Sequence, residues 1–488
     1  MGHKHHISRR SFLGQASCAA VGSTTFLSTA LNLGMINTAA ARPHIINNPN
    51  DYKAMVCILL AGGADTHNVL VPTESSEYAA YANTRSSLAL SDDPNDGDIL
   101  PLDYNDNGRT FAVHSGMSRV RDLFDQGNLA FLANIGTLIE PITDRNDFYS
   151  GLRKLPLGLY SHNDQIMQWQ TSVPQDRTAF GVGGRIADIL GDMNSVSEIS
   201  MNISLNGKNR FQSGQQTLEY SINNDTTPDN VGLQGLPNWY SNSGFLNQTR
   251  EAAIDSLAAD VYSNLFQKTY GTLTRQSMES LDLFGTALAK GAPLNTTFSD
   301  TRLSRDLEMM AKVINVQQHM GANRQIFFTT FGGWDHHDNV IGAQANMLPI
   351  LSNAMGEFYD ALVEMGCQDA VTTFTISDFA RTLTSNGNGS DHAWGGNQMI
   401  MGGAISGQNI YGDYPLLNLA GNDLNLDDRG RIIPTTSVDE FYAELALWFG
   451  VSPNDMDYIL PNLCNFYSSS CPSALPNNYA PIGMFQNT

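Results

Sequence analysis

The sequence predicts an α/β protein with a mostly parallel central sheet and helices on both of its faces. Three observations carry this. Near-continuous apolar runs at 53–61, 129–135, 324–331 and 370–376 have the composition of strands buried on both sides. Helical patterns lie between them, the order that a parallel sheet with crossover helices requires. Two runs end in Gly-Gly and then an acid (Gly62, Gly63 and Asp65; Gly332, Gly333 and Asp335), and a third ends in Ser377 and Asp378. Open α/β sheets present groups to ligands at such strand ends.

The chain has 488 residues, enough for one large domain or two to three ordinary ones. Its 48 Asp and Glu outnumber 27 Lys and Arg, giving a formal charge of −21. That excess argues against nucleic acid and against an anionic membrane as partners, since both call for basic surface. A metal or an Arg can reverse the field inside a pocket, so an anionic substrate remains compatible.

At the N-terminus, Ser8-Arg9-Arg10-Ser11-Phe12-Leu13 is a twin-arginine pattern that leads into an apolar run. Ala39-Ala40-Ala41 then supplies small residues for cleavage. Residues 1–41 read as a Tat-type signal, which places a mature domain of residues 42–488 in the periplasm or outside the cell. Gly14, Gln15, Ser17, Gly22 and Ser23 interrupt the apolar run and argue against a permanent transmembrane span. The signal takes Lys4, Arg9 and Arg10 with it and no acid, so the mature chain is more acidic still. Cys464 and Cys471 are spaced to close a short loop in an oxidising compartment, whereas Cys57 and Cys367 read as buried thiols.

Taken in order, the run at 53–61 breaks at Gly62-Gly63, where tandem glycine permits a sharp turn or close approach to a ligand. Residues 77–88 have helical composition, and 91–109, rich in Asp, Asn and Gly, read as a surface loop. A helix over 117–124 and a strand over 129–135 follow. Ser161 precedes a helical pattern and would cap it, at a position where anions also bind. Residues 193–250 turn polar and read as an irregular or β-hairpin insertion over the core. Helices return at about 250–270 and 303–319, and a long one at about 340–365 precedes the strand that ends at Asp378. The loop Asn386-Gly387-Asn388-Gly389 is turn chemistry that lets Asp391 and His392 fold back towards that strand end. Residues 398–401 make one more strand, and 439–449 a capped helix.

Acids and imidazoles therefore recur at strand ends: Asp65, Asp335 with His337, Asp378, and the pair Asp391-His392. Gathered at one sheet edge, they suit a divalent cation, since carboxylate and imidazole are good ligands for hard and borderline metals. Any one of them alone is more often a turn former or a helix cap.

The motifs Leu60-Ala61-Gly62-Gly63-Ala64-Asp65, Gly333-Trp334-Asp335-His336-His337, Ser377-Asp378-Phe379-Ala380-Arg381 and Asp391-His392-Ala393-Trp394-Gly395 resemble those of the exported family catalogued as domain of unknown function 1501. So does Gly402-Gly403 through Tyr411-Gly412-Asp413-Tyr414-Pro415. That family is placed in the alkaline-phosphatase-like superfamily, whose members cleave phosphate or sulfate esters with divalent metals. The resemblance implies an alkaline-phosphatase-like fold, a metal (Zn, Ca or Mn) and a small anionic ester or a sulfated or phosphorylated polymer as substrate. It implies Asp65, Asp335, His337, Asp378 and His392 as metal residues, with Ser161 as the candidate nucleophile and Arg381 steadying the ester oxygens. Two features depart from the pattern. Asp335 and His337 are separated by one residue instead of three, with His336 as the alternative. Phe379 stands where a second metal site has its His, which leaves that place to His67 or Asp391. The competing reading is a secreted binding protein that keeps the fold and a degenerate metal site. No cysteine carries the formylglycine sulfatase signature, and no Gly-x-Ser-x-Gly elbow surrounds Ser161.

Overall fold

Lys53–Ala61 forms β1, a strand whose alternate residues enter two separate cores. Ala54, Val56, Ile58 and Leu60 face one side, and Met55, Cys57 and Leu59 the other. This two-sided burial explains why the run is apolar at every position rather than at every second one. The computed structural model describes residues 51–177, 180–195, 199–224, 280, 283–467 and 482–486. The expected export signal, the helix expected at about 250–270, residues 225–250 of the expected insertion and Cys471 lie outside the described residues.

On either side of β1 lie β8 (Arg324–Gly332) and β9 (Val371–Ser377), both parallel to it and in register with it to their ends. The nine-stranded sheet continues from β8 to β6 (Asn202–Ser204) and β7 (Tyr220–Ser221), again parallel. Beyond β9 come β10 (Gly396–Met401) and β5 (Leu129–Gly136), each antiparallel to its predecessor. β11 (Asn409–Tyr411) and β12 (Thr436–Ser437) pair with β5. The expected mixed α/β architecture with a mostly parallel sheet is thus the one observed.

Helices cover both faces. Arg302–Asn315 and the long Val340–Glu364 pack on the core that holds Leu60, and Val182–Leu190 and Val438–Phe449 on the core that holds Leu59. The last begins with a capping box at Ser437 and Glu440, as its sequence predicts. No described helix is long and apolar enough to cross a membrane. Cys57 and Cys367 are free thiols, Cys57 buried and Cys367 partly so, and Cys464 is disulfide-bonded.

Two expectations are corrected. Residues 199–224 do not make a hairpin, because β6 and β7 run parallel and extend the main sheet. Within the acidic stretch 91–109, Ile99–Pro101 pairs with Phe111–His114, which in turn pairs with Leu70–Pro72, in a separate three-stranded sheet. The short apolar triplet inside a polar loop is what the composition concealed.

Candidate metal centre

Because β1, β8 and β9 are adjacent and parallel, their carboxyl ends open onto one edge. Ala61 lies opposite Gly332, and Leu60 opposite Ser377. The chain then turns through Gly62 and Gly63, both at positive φ (119° and 76°). A Cβ on Gly62 would meet the Asp335 backbone at 2.5 Å, and one on Gly63 the Phe379 ring at 2.4 Å. Both the backbone angle and the close approach therefore require glycine here.

At this edge the side chains of His162, Asp335 and His392 offer ligand atoms that all lie within 4.8 Å of one another. His337 joins them, with its Nε2 3.1 Å from Asp335 Oδ1 and 2.8 Å from His392 Nε2. His162 Nε2 is 3.6 Å from Asp335 Oδ2. The site is open to solvent: Asp335 is 48% exposed and His337 44%.

The other face of each imidazole fixes its tautomer. His162 Nδ1 lies 2.6 Å from Asp378 Oδ2, His337 Nδ1 2.9 Å from Asp391 Oδ1, and His392 Nδ1 2.8 Å from the Tyr160 carbonyl. All three partners are acceptors, so each Nδ1 carries a proton and each ring turns its Nε2 towards Asp335. Two Nε2 atoms 2.8 Å apart beside a carboxylate oxygen repel one another unless a proton or a cation lies between them. His162, Asp335 and His392 are close enough together to hold a metal, each imidazole oriented from behind by an acceptor as in carboxylate–histidine–metal sites, and His337 lies beside them.

Electrostatics agree with this arrangement. Burial opposes the charge of Asp335, yet the Arg381 guanidinium 2.6 Å away, with His337 and His162, holds its carboxyl below the ordinary range. Burial pushes the His392 pKa down, and Arg381 and the neighbouring imidazoles add to this against the opposing hydrogen bond to the Tyr160 carbonyl. Asp378 is shifted upward by burial, offset in part by His162 and by the Gly62 N–H at 3.1 Å.

Phe379 closes the back of the site. Its ring centroid lies 4.8 Å from that of His162 and 4.4 Å from that of His392.

The residues expected from sequence fall into two groups. Asp335, His337 and His392 converge, and Asp378 joins them through His162 as its buried partner. Asp65 stands apart: it is fully buried, and its Oδ2 pairs with Arg85 Nη2 at 2.8 Å. Arg381, expected to steady ester oxygens, is also fully buried. It donates to the carbonyls of Gly63, Ser390, Gly62 and Trp334 and to Asp335, so its observed bonds go to the protein's own backbone and to the Asp335 carboxylate. Ser161 caps the helix His162–Thr171 by accepting the Asp164 N–H at 3.5 Å. Of the residues offered to complete a second site, Asp391 orients His337, and His67 is buried with neither ring nitrogen bonded in normal geometry.

Sequence reasoning missed His162. It is the first residue of the helix that Ser161 caps, a place with no local pattern that marks a functional histidine. Tyr160, at φ 70°, makes the sharp entry that brings both its own carbonyl and His162 to the centre.

Several solved structures are similar to this chain. They include Ps i-CgsB in complex with k-i-k-neocarrahexaose, at 10% identity and TM-score 0.34, covering 82% of this chain and 72% of that one. The PsFucS1 sulfatase from Pseudoalteromonas sp. is 11% identical, with TM-score 0.32 and coverage of 82% and 68%. Wild-type alkaline phosphatase PafA is 12% identical, with TM-score 0.25 and coverage of 67% and 63%. Likenesses at TM-scores this low carry neither fold nor activity across. No curated protein matches the chain. Residues 274–428, the stretch that delivers Asp335, His337, Asp378 and His392 to this edge, match the family described as "Protein of unknown function (DUF1501)", which bears out the resemblance read from those motifs.

Proposed function

We propose that the protein is an exported metal-dependent hydrolase of phosphate or sulfate esters. The observation that carries the reading is the convergence of three Nε2 atoms on the Asp335 carboxylate at the carboxyl edge of the parallel sheet. His162, His337, His392 and Asp335 would hold one divalent cation. A set of three nitrogens and one oxygen favours Zn²⁺ or Mn²⁺ over Ca²⁺, which prefers all-oxygen surroundings. When bound, such an ion supplies charge that polarises an ester oxygen and acidifies water.

The chain's own groups do the rest. Asp378, Asp391 and the Tyr160 carbonyl hold the three imidazoles in one tautomer and orientation. Arg381 keeps Asp335 ionised, and Phe379 excludes water from behind the rings. Ser161, next to His162, is the hydroxyl we assign as nucleophile, and the twin-arginine segment supports export. The test is elemental mass spectrometry of the purified mature protein beside hydrolysis of a panel of aryl phosphates and sulfates. One equivalent of metal together with turnover is expected. Both should be lost in a His162→Ala/His392→Ala variant, and absence of metal even after reconstitution with Zn²⁺ or Mn²⁺ would overturn the reading.

One observation favours a second reading, a secreted protein that binds its ligand through the metal without cleaving it. Ser161 already serves as a helix cap, its hydroxyl accepting the Asp164 N–H. Stoichiometric metal with no turnover on any ester of the panel is the outcome that selects it.

A further inference from the structure

Asp65 is the residue that the metal reading leaves unexplained. It follows β1, is fully buried, and accepts from two partners through Oδ2: Arg85 Nη2 at 2.8 Å and Ser390 Oγ at 2.8 Å. Arg85, also fully buried, reaches with Nη1 to the Thr382 carbonyl at 3.2 Å, and with Nη2 also to Asn68 Oδ1 at 3.0 Å. Gln344 Nε2 donates to the Asp65 carbonyl at 2.7 Å, which fixes the ion pair to the long helix Val340–Glu364.

Thr382 and Ser390 are the two ends of the loop that delivers Asp391 and His392. They are also tied to each other's neighbourhood: Thr382 N donates to the Asp391 carbonyl at 2.8 Å, and Asp391 N to Thr382 Oγ1 at 3.0 Å. One buried ion pair thus grips both ends of the loop, one or two residues before the His337 partner and the His392 ligand. A rigid backing of this kind holds ligands to within the small tolerance that a metal site demands.

We infer that Asp65 and Arg85 form a positioning clamp, acting through Ser390, that presents Asp391 and His392 to the cation, and that Asp65 is not itself a ligand. The inference rests on the metal reading above. The clamp is part of the folded chain before any cation arrives, so the loop need not be ordered on binding. Its loss lowers affinity by misplacing ligands that are all still present.

The test is Co²⁺ affinity by chelator competition and the visible spectrum of the Co²⁺ form, measured on the mature protein. Ser390→Ala removes only the hydroxyl link. It is expected to weaken Co²⁺ binding about 10–100-fold and shift the absorption bands, while circular dichroism of the metal-free protein is unchanged. Ser390→Thr, which keeps the hydroxyl, is expected to restore both. Asp65→Asn should weaken binding by a similar factor, and the double variant by no more than the stronger single change, because both cut one link. If Asp65 is a ligand, Asp65→Asn abolishes binding and Ser390→Ala leaves affinity and spectrum at the wild-type values, which overturns the clamp. A wild-type protein that binds no Co²⁺ overturns both the clamp and the metal reading. Tight binding without ester hydrolysis leaves the clamp standing and removes only the hydrolase.

Discussion

At the scale of single residues, function rests on which atom of each imidazole is tied down. Asp378 orients His162 without touching the cation position, so Asp378→Asn should weaken Zn²⁺ binding about 10–100-fold instead of abolishing it. Competition with a chromogenic chelator reads this directly, and complete loss would make Asp378 a ligand. For Ser161 the observed helix cap and the proposed nucleophilic role are separable. Ser161→Asn keeps an N-cap and removes the hydroxyl, so it should hold stability within about 0.5 kcal/mol while ester turnover disappears. Ser161→Ala should in addition cost about 1 kcal/mol in denaturant melts. Retained turnover in both variants would move the nucleophile elsewhere. His67 makes a pH prediction. Burial, reinforced by Arg85 and opposed by Asp65, depresses its pKa from the ordinary 6.5 to about 4. The unfolded chain therefore takes up the proton first, and this contribution to stability is full above about pH 6.5 and lost as pH falls towards about 4. The loss amounts to up to about 3 kcal/mol. Asp439, raised to about 7 by burial, acts with the opposite sign over part of the same window. The difference between wild-type and His67→Gln melting curves at pH 5 and pH 8 isolates the histidine, and equal curve shifts would refute it.

At the scale of elements, the strand ends decide what meets what. The glycine turn after β1 is shaped by its neighbours: Gly62 by the Asp335 backbone and Gly63 by the Phe379 ring. Gly63→Ala has to adopt φ 76° and displace that ring, so it should cost about 1–3 kcal/mol. It should also weaken metal binding, because Phe379 packs on both His162 and His392; chemical denaturation beside metal titration measures the two effects together. Most elements were legible from the sequence. The runs that became β1, β5, β8 and β9 are apolar throughout because two cores claim them, and that pattern survives any uncertainty about neighbours. β6 and β7 were not legible as sheet strands. Strands of three and two residues carry too little periodicity to signal pairing; β6 finds its partner at the edge of β8, and β7 at the edge of β6. Among site residues, Asp335, His337 and His392 announced themselves by their places at strand and loop ends. His162 did not, because a histidine at the first position of a helix has no local pattern that marks it.

At the scale of the whole molecule, the centre joins segments far apart in the chain, which the parallel order β9-β1-β8 brings to one edge. A cation bound there would cross-link the helix His162–Thr171 to the loops after β8 and β9, and should stabilise the fold. At a hundredfold excess over its dissociation constant the gain is about 2.7 kcal/mol, seen as a higher melting temperature that a chelator reverses. A melting temperature indifferent to both metal and chelator would count against the site. The sequence by itself determined the α/β class, the main strands, the family resemblance over its motifs and the residues available for metal chemistry, because burial periodicity and glycine turns are local properties written in neighbouring residues. Only the tertiary structure decided their tasks. It turned Asp65 and Arg381 inward to buried partners, set Asp378 behind His162 and brought His162 to the edge beside Asp335 and His392. Those assignments depend on which acceptor lies behind each ring and on which guanidinium reaches each carboxylate, distances between segments that no local pattern encodes.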